Sequence, residues 1–322
     1  MEIMKLLPAG KDYLWGGTRL RDEFGKKIDM TPLAETWECS VHPDGPSIVA
    51  NGKHSGKTLA EVLNEHPEYL GTKVGDTKEL PVLVKFIDAK KDLSVQVHPD
   101  DAYAKEHERQ NGKSEMWYVM DADEDASLIY GFTHPVTESL LRNAVEQGNL
   151  DKHLQKVKVH KGDIYYVLAG TVHGIGAGTL VAEIQESSNV TYRVYDYNRT
   201  DKNGKKRELH FDKAVEVMDM GVAPDVKQKH RFIHYYPGCS REILCRCKYF
   251  ETERIVVTKG LSFSVKNESF QIILCLDGEG QIETMDDTKK PVRFQKGDCL
   301  YIPAGMGRCY LLGEAEILKV RC

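Results

Sequence analysis

The chain has 322 residues, of which 41% are hydrophobic and 29% charged, so it can bury a substantial core and is not expected to be disordered. Its net charge of −5, with 44 basic residues spread along the chain, argues against a nucleic-acid partner. The N-terminus lacks a signal-peptide pattern, and no stretch approaches the roughly 18 apolar residues that span a membrane. The eight cysteines follow no C-x-x-C spacing, so we expect reduced thiols, a cytoplasmic location and no membrane partner.

Most of the chain consists of short apolar runs separated by Gly and Pro, which is typical of β-strands. Four segments have a helical pattern instead, and Thr58 and Glu61 have capping-box spacing at the start of the first. These segments are 58–70, 100–112, 137–148 and 212–221. A polar, proline-containing stretch follows the last of them, so the sequence predicts two domains, at 1–225 and 226–322.

An internal repeat predicts the fold class. Residues 157–185 align without a gap on residues 292–320. Each copy has a Lys-Gly-Asp turn, an apolar strand and an Ala-Gly turn, and this order resembles the second half of a cupin β-barrel. The sequence therefore predicts a mainly β protein with two cupin-like, jelly-roll β-barrels, the first of them decorated with α-helices.

The strand predicted at 93–98 has an unusual polar face. Its residues alternate between apolar and polar, and the polar positions are Ser94, Gln96 and His98. A strand face in water usually carries charged side chains, whereas this one carries a hydroxyl, an amide and an imidazole. The face therefore either meets solvent or lines a pocket.

Two further residues of the first predicted barrel are unusual for their positions. Glu115 begins an apolar strand, where an unpaired buried carboxylate would cost several kcal/mol, and His173 follows a turn among glycines. Taken singly, each is more typical of an exposed or hydrogen-bonded residue. Together with Gln96 and His98 they offer two imidazoles, a carboxylate and an amide oxygen. This set suits Zn²⁺ with open coordination positions, and Mn²⁺, Fe²⁺ or Co²⁺ would also fit.

The repeat also predicts how many metal ions the chain binds. It places His173 on Arg308, and an alignment of the preceding hairpins places Glu115 on Ser269 and Gln271 on Trp117. An arginine keeps its proton and its fixed charge would repel a cation. We therefore expect one zinc ion per chain, in the first barrel, and a structural or pocket-flanking second barrel.

Two other stretches bear on function. In 183–199, the Arg193 guanidinium suits a phosphate group and Glu183 could move protons, although an exposed strand with an ordinary ion pair is the alternative.

The segment GKHSGKT at 52–58 has three residues between its glycines where a phosphate-binding loop has four. We expect that segment only to cap a helix.

Several segments together closely resemble type I mannose-6-phosphate isomerases in their short bacterial form. They are "YLWGGTRL", "AETWECSVHPDG", "LPVLVKFIDAKKDLSVQVHPDD", "GKSEMWYVM", "LAGTVHGIG" and "SSNVTYRVYDYNR". The resemblance runs from about residue 10 to residue 215. It implies a zinc-dependent aldose–ketose isomerase that interconverts D-mannose 6-phosphate and D-fructose 6-phosphate through a cis-enediol. Its partner would be this phosphorylated hexose.

The resemblance also implies roles for individual residues. It places the metal ligands on Gln96, His98, Glu115 and His173, the essential arginine on Arg193, and the pocket positions on Lys85, Ser94, Lys113 and Glu183. Lys85 and Ser94 would bind substrate, while Glu183 and Lys113 are both candidates for the general base. Family members often carry Asp where Ser188 or Asn189 stands, so that position has no assigned role.

Two other functions compete with this interpretation. A metal-dependent cupin oxygenase would usually show a His-x-His pair, whereas the strand here reads Val-Gln-Val-His. A non-enzymatic sugar-binding cupin would need no metal, which the grouped ligands argue against. Oxygen uptake and metal analysis, respectively, would identify these alternatives.

Overall fold

The computed structural model describes residues 1–77, 79–200, 204–226, 228, 230–285 and 290–322. The described residues form 21 strands and five α-helices, which confirms the predicted mainly β class. In the described part of the chain, no helix is long and apolar enough to cross a membrane.

The elements are numbered in chain order. The strands are β1 (Met4–Leu7), β2 (Ala9–Lys11), β3 (Glu35–Cys39), β4 (Ile48–Val49), β5 (Val82–Ala89), β6 (Val95–Val97), β7 (Glu115–Ala122), β8 (Ser127–Phe132), β9 (Leu154–Lys158), β10 (Ile164–Val167), β11 (His173–Ile175), β12 (Thr179–Glu186), β13 (Tyr192–Tyr195), β14 (His234–Tyr236), β15 (Cys239–Arg246), β16 (Glu251–Val257), β17 (Gly260–Val265), β18 (Gln271–Thr284), β19 (Val292–Gln295), β20 (Cys299–Ile302) and β21 (Gly307–Arg321). The α-helices are α1 (Arg19–Asp22), α2 (Leu59–Glu65), α3 (Asp101–His107), α4 (Glu138–Glu146) and α5 (Phe211–Val217). Short 3₁₀ helices lie at Gly52–His54, Pro67–Leu70, Thr72–Thr77 and Leu150–Lys152.

The first predicted helix forms but is shorter than its pattern. The capping box at α2 is present, because the Thr58 hydroxyl accepts the Glu61 N–H at 3.2 Å and the Glu61 carboxylate accepts the Thr58 N–H at 2.8 Å. The α-helix ends at Glu65, since Pro67 disfavours helical backbone at the residue before it, and His66 has φ −132° and ψ 64°. The chain continues to residue 70 as a 3₁₀ helix.

The other predicted helices also form: α3 and α4 lie within their segments, and α5 begins one residue before its predicted start. α3 starts after Asp100, whose side chain accepts the Tyr103 N–H at 2.9 Å, and stops at His107, five residues before the predicted end. Beyond it, Arg109 has a φ of 56°, which cannot continue a right-handed helix. The sequence did not predict α1, since one turn is too short to show a helical period.

Three antiparallel sheets organise the described residues. The first has six strands, in the order β10-β7-β12-β5-β3-β2, and the second has five, in the order β13-β6-β11-β8-β9. The third has ten: β14-β15-β16-β21-β18-β20-β1-β4, with β17 on β21 and β19 on β18. The six- and five-stranded sheets pack face to face around apolar side chains such as Trp117 and Leu128. The other face of the six-stranded sheet packs on the ten-stranded sheet through residues such as Phe86 and Tyr301. Closure of these sheets into barrels stays a prediction.

The start of the chain completes the ten-stranded sheet. β1 pairs with β20, with Met4 opposite Tyr301 and Leu6 opposite Cys299, and both β1 side chains are buried. The residues after 226 therefore share their sheet with an N-terminal strand. The division into domains at 1–225 and 226–322 stays a prediction.

The two copies of the repeat have the same local structure. The Lys-Gly-Asp turns match: Asp163 and Asp298 each accept the N–H three residues earlier at 2.8 Å. The central glycines, Gly162 and Gly297, have φ values of 91° and 89°, in the region that favours glycine. β10 and β20 occupy equivalent positions, as the repeat predicts.

The predicted match of Glu115 with Ser269 is wrong. Glu115 lies opposite Val167 in β10, and the repeat counterpart of Val167 is Ile302, which lies opposite Gln271. Gln271, rather than Ser269, therefore occupies the place of Glu115.

The side chains of His173 and Arg308, which the repeat aligns, also differ in their exposure to solvent. Arg308 is exposed, whereas His173 is buried. The interior of the ten-stranded sheet is filled here by apolar side chains, among them Phe263, Val265 and Cys309. The expectation of a metal-free second barrel stays a prediction.

Candidate metal centre and substrate pocket

One row of predicted site residues crosses the six-stranded sheet. Lys85 on β5 lies directly opposite Glu183 on β12, which lies opposite Trp117 on β7. Residues paired in this way share a face of the sheet, so their side chains meet. The Lys85 Nζ is 2.9 Å from Glu183 Oε2, and the Trp117 indole N–H donates to Glu183 Oε1 at 3.0 Å. Glu35 on β3 adds a second carboxylate, 3.9 Å from Lys85 Nζ.

A second row crosses the five-stranded sheet. Arg193 on β13 lies opposite Gln96 on β6, and Gln96 lies opposite His173 on β11. The Gln96 amide nitrogen is 3.4 Å from His173 Nε2. The two rows face each other, with the rings of Trp117 and His173 5.4 Å apart. The polar face predicted at 93–98 is therefore turned inward, and Ser94 and His98 are buried.

Glu115 reaches between the two histidines. Its carboxylate oxygens are 3.6 Å from His98 Nε2 and 3.4 Å from His173 Nε2. The ligand atoms of these three residues lie within 4.8 Å of one another, and all three side chains are no more than 1% exposed. The structure thus brings together three of the four predicted metal ligands, with Gln96 at their edge.

The chemistry of this group fits a divalent cation. Among the described residues, neither oxygen of Glu115 accepts a hydrogen bond, although Lys113 Nζ is 3.1 Å from Oε2. His173 Nδ1 donates to the Thr171 carbonyl at 2.7 Å, which leaves the lone pair of Nε2 facing Glu115. Gln96 presents its amide nitrogen, and a half-turn of the amide would present the oxygen that a metal requires.

Burial sets the charges in the metal centre. It lowers the pKa of His173 to about 4 and, with the charge of Lys113, lowers that of His98 well below its usual range, so both imidazoles are neutral and able to bind a metal. Burial and the charge of Glu183 raise the pKa of Glu115 to about 7. Burial also opposes ionisation of Glu183, but the charges of Lys85 and Lys113 outweigh it and lower the pKa of Glu183 to about 2.

Lys113 lies at the junction between the two carboxylates and the histidines. Its Nζ is 2.9 Å from His98 Nε2 as well as 3.1 Å from Glu115 Oε2, and the residue is buried. An ammonium group here supplies positive charge directly beside the predicted ligands. A metal ion bound by His98 and Glu115 would repel this ammonium group.

A cavity of about 250 Å³ adjoins the predicted ligands. It is lined by Gln96 and by the predicted site residues that are not metal ligands: Lys85, Ser94, Lys113, Glu183 and Arg193. It is also lined by residues that sequence reasoning missed, among them Tyr13, Glu35, Asn189 and Arg207. Tyr13 and Glu35 lie in segments that carried the family resemblance but no assigned role. A larger depression, of about 650 Å³ near Arg109, contains none of the predicted ligands.

Two arginines, Arg193 and Arg207, add positive charge to that of Lys85 and Lys113 in the lining of the cavity. Arg193 Nη1 donates to the Glu208 carbonyl at 2.7 Å, while its buried Nε has no partner among the described residues. Burial and the charge of Arg207 lower the pKa of Arg193. Arg207 is balanced by Asp196, with Nε 2.8 Å from Oδ2. The sequence had offered an ordinary ion pair in 183–199 as an alternative. This alternative is wrong for Glu183, because Glu183 pairs with Lys85.

The chain and its fold are similar to known proteins along most of their length. The family model described as phosphomannose isomerase type I, catalytic domain, matches residues 3–134, and that described as mannose-6-phosphate isomerase, cupin domain, matches residues 241–322. Mannose-6-phosphate isomerase ManA of Bacillus subtilis is 39% identical over 313 residues, covering 97% of this chain and 96% of that protein. Mannose-6-phosphate isomerase of Streptococcus mutans is 36% identical over 305 residues, covering 95% and 93%. The crystal structure of the mannose 6-phosphate isomerase from Bacillus subtilis matches with a TM-score of 0.89 at 37% identity, covering 99% of each chain.

Proposed function

We propose that this chain, which belongs to the type I phosphomannose isomerase family and is a mannose-6-phosphate isomerase, works with one zinc ion bound at the metal centre when it interconverts D-mannose 6-phosphate and D-fructose 6-phosphate. The observation that carries this proposal is the position of His98, Glu115 and His173, whose ligand atoms lie within 4.8 Å of one another beside a cationic cavity. The substrate is a phosphorylated sugar, and the cavity offers positive charge for its phosphate.

Gln96, His98, Glu115 and His173 would hold the metal. Two neutral imidazoles, one carboxylate and an amide oxygen are a donor set that suits Zn²⁺ and leaves positions open. When bound, the ion would polarise the substrate oxygens and stabilise the negative charge that develops on them.

Arg193 and Arg207 would hold the phosphate end of the substrate. The unpartnered Nε of Arg193 offers a hydrogen-bond donor in a planar group that suits phosphate oxygens. The same guanidinium could instead steady a negatively charged enediol, since Arg193 lies opposite Gln96, next to the predicted ligands. Lys85 and Ser94 would position the sugar hydroxyls, because both line the cavity.

Isomerisation through a cis-enediol needs one group that takes a proton from C2 of the aldose and returns it to C1. Glu183 and Lys113 both line the cavity and are the candidates for this base. The pKa of about 2 makes Glu183 a weak proton acceptor while Lys85 and Trp117 hold it. Lys113 would have to lose its own proton to serve. If Glu183 is the base, Glu183→Gln should lose exchange of the C2 proton with solvent. If Lys113 is the base, Lys113→Met should lose it.

A coupled assay with mannose 6-phosphate tests the proposal. Removal of bound metal by a chelator should abolish isomerisation, and Zn²⁺ should restore it. Exchange of the C2 deuterium of labelled mannose 6-phosphate into solvent identifies the base. Of the two variants Glu183→Gln and Lys113→Met, the one that retains zinc but loses this exchange identifies the substituted residue as the base. Isomerisation at the full rate in metal-free protein would overturn the proposed role of zinc.

A further inference from the structure

A second group of metal-binding side chains lies outside the substrate pocket. His54, Glu65 and His66 each offer a ligand atom, and these atoms lie within 4.8 Å of one another. Among the described residues, this group and the one at His98 are the two in which three or more His, Cys, Asp or Glu side chains approach so closely. The group at His54 includes part of the GKHSGKT segment, for which the sequence predicted only helix capping.

His54 supplies a buried ligand atom without a partner. The residue ends the 3₁₀ helix Gly52–His54 and is 5% exposed. Its Nε2 is buried and has no hydrogen-bond partner among the described residues. Burial and the charge of Lys53 lower the pKa of His54, so the ring is neutral near pH 7. A neutral imidazole nitrogen without a hydrogen-bond partner among the described residues is a suitable metal ligand.

His66 is oriented with one nitrogen available. Its Nδ1 is 3.1 Å from the Glu68 carboxylate, an arrangement that holds the proton on Nδ1 and leaves a lone pair on Nε2. The ring stacks on Tyr69, with centroids 4.6 Å apart and planes 10° apart, and it meets the His54 ring edge-on at 5.1 Å. Tyr69 is buried, so these contacts fix the orientation of both imidazoles.

Glu65 supplies the carboxylate and the opening to solvent. Its side chain is 49% exposed, and both of its oxygens are 2.7 Å from Lys57 Nζ. The Lys57 ammonium lowers the pKa of Glu65, which keeps the carboxylate ionised. It also competes with a cation for these oxygens, so we expect weaker metal binding here than at the buried centre.

We propose that His54, Glu65 and His66 form a second site for a divalent transition metal, with Zn²⁺ as the ion that two imidazoles and one carboxylate suit best. Water would complete the coordination on the exposed side. This ion would be additional to the one zinc per chain predicted from the sequence, and it lies outside the predicted interior of both barrels.

A metal at this site would act on structure rather than on the reaction. It would join the 3₁₀ helix at residues 52–54 to the end of α2. The segment that follows holds the ten-stranded sheet: the Tyr69 carbonyl accepts the Ala304 N–H at 2.9 Å and the Tyr301 hydroxyl at 3.1 Å. Metal binding should therefore raise the melting temperature of the protein, because it stabilises the native state only.

The test uses the full chain with its pocket metal in place. Bound zinc is counted by equilibrium dialysis at increasing free Zn²⁺, and melting temperatures are measured in parallel. We expect a second equivalent that raises the melting temperature. In His66→Gln and Glu65→Gln, both at partly exposed positions, the affinity for this equivalent should fall at least about tenfold while isomerase activity is unchanged. His54→Gln should lose the second equivalent altogether.

His153→Gln is the matched control. His134 and His153 also form a close pair, with Nε2 3.0 Å from Nδ1, but in the described part of the chain no carboxylate completes it. This variant should keep the second equivalent at wild-type affinity. Saturation at one zinc per chain, or a second equivalent that survives both His66→Gln and Glu65→Gln, would overturn the proposal.

Discussion

Removal of the Lys85 ammonium should leave Glu183 as a buried charge without its main partner. The Lys85 and Glu183 side chains are 6% and 4% exposed, and their charged atoms are 2.9 Å apart. Lys85 and Lys113 together hold the pKa of Glu183 near 2 against the opposing effect of burial. In Lys85→Met only Lys113 remains, so the pKa of Glu183 should rise and the native state should lose stability at pH 7.

The size of this loss follows from the lowered pKa. A carboxyl whose pKa falls from 4.5 to about 2 on folding stabilises the native state by about 3 kcal/mol, at about 1.4 kcal/mol per unit. This stability is present above pH 4.5 and is lost as the pH falls toward 2. Removal of one partner of a buried ion pair costs about 3–5 kcal/mol in general. Because Lys113 still contributes, we expect about 2–3 kcal/mol for Lys85→Met.

Denaturant unfolding of four proteins measures the effect: the wild type, Lys85→Met, Glu183→Gln and the double variant. The double variant has no buried charge at either position, so its loss should be smaller than the sum of the single losses by about 2 kcal/mol. Lys319→Met is the matched control, since Lys319 and Glu253 form a buried pair at 2.9 Å in the ten-stranded sheet. It should lose stability but keep isomerase activity, whereas Lys85→Met should lose both. Additive losses, or a loss below about 0.5 kcal/mol in Lys85→Met, would refute the reasoning.

Three further predictions concern the site and the stability of the fold. His98→Ala and His173→Ala should each lose the pocket metal and activity but keep their secondary structure, whereas Arg308→Ala should keep both metal and activity; elemental analysis and circular dichroism measure this. Arg193→Ala should keep zinc but lose about 10²-fold in kcat, and Arg193→Lys should also be impaired because lysine lacks the planar fork. Burial raises the pKa of Glu186 to about 7, so its ionisation destabilises the fold as the pH rises from 4.5 through 7. Glu186→Gln should therefore be more stable than the wild type by about 1–3 kcal/mol at pH 8 and little changed at pH 4. Denaturant unfolding at the two pH values measures this difference.

Each of these predictions has a contrary outcome. Full metal content and activity in either histidine variant would remove that histidine from the ligand set. Near-normal kcat in both Arg193 variants would exclude the arginine from the reaction. Equal changes in the stability of Glu186→Gln at pH 4 and pH 8 would show that the buried carboxyl is not the cause.

The local pattern was enough to predict single strands and caps. Alternation at 93–98 predicted β6 and its unusual polar face, and Thr58 with Glu61 predicted the capping box of α2. Gln96 and His173, which the sequence grouped as ligands, do meet, because they lie opposite each other on neighbouring strands.

Contacts between distant strands could not be predicted in the same way. The row formed by Lys85, Glu183 and Trp117 depends on the register of three strands, which no single segment contains. The error that matched Glu115 with Ser269 instead of Gln271 is a shift of two residues. Because side chains alternate with a period of two, such a shift leaves every residue on the same face, and the hydrophobic pattern cannot detect it.

The sequence also could not predict which residues far apart along the chain contact one another. β1 completes the sheet of the C-terminal half, although nothing in its four residues indicates β20 as its neighbour. Arg207 lines the cavity from a polar segment whose only signal is charge. The sequence also could not show that Glu183 pairs with Lys85 instead of with a residue of 183–199, because Lys85 lies on a strand about 100 residues earlier.

The central claim is that zinc held by Gln96, His98, Glu115 and His173 is required for isomerisation of mannose 6-phosphate. The most direct test measures metal content and isomerase activity in the same samples, before chelation, after chelation and after addition of Zn²⁺. Activity should fall to background as the pocket zinc is removed and should return in proportion to the zinc that rebinds in the pocket. Activity that persists undiminished in samples with no bound metal would contradict the claim.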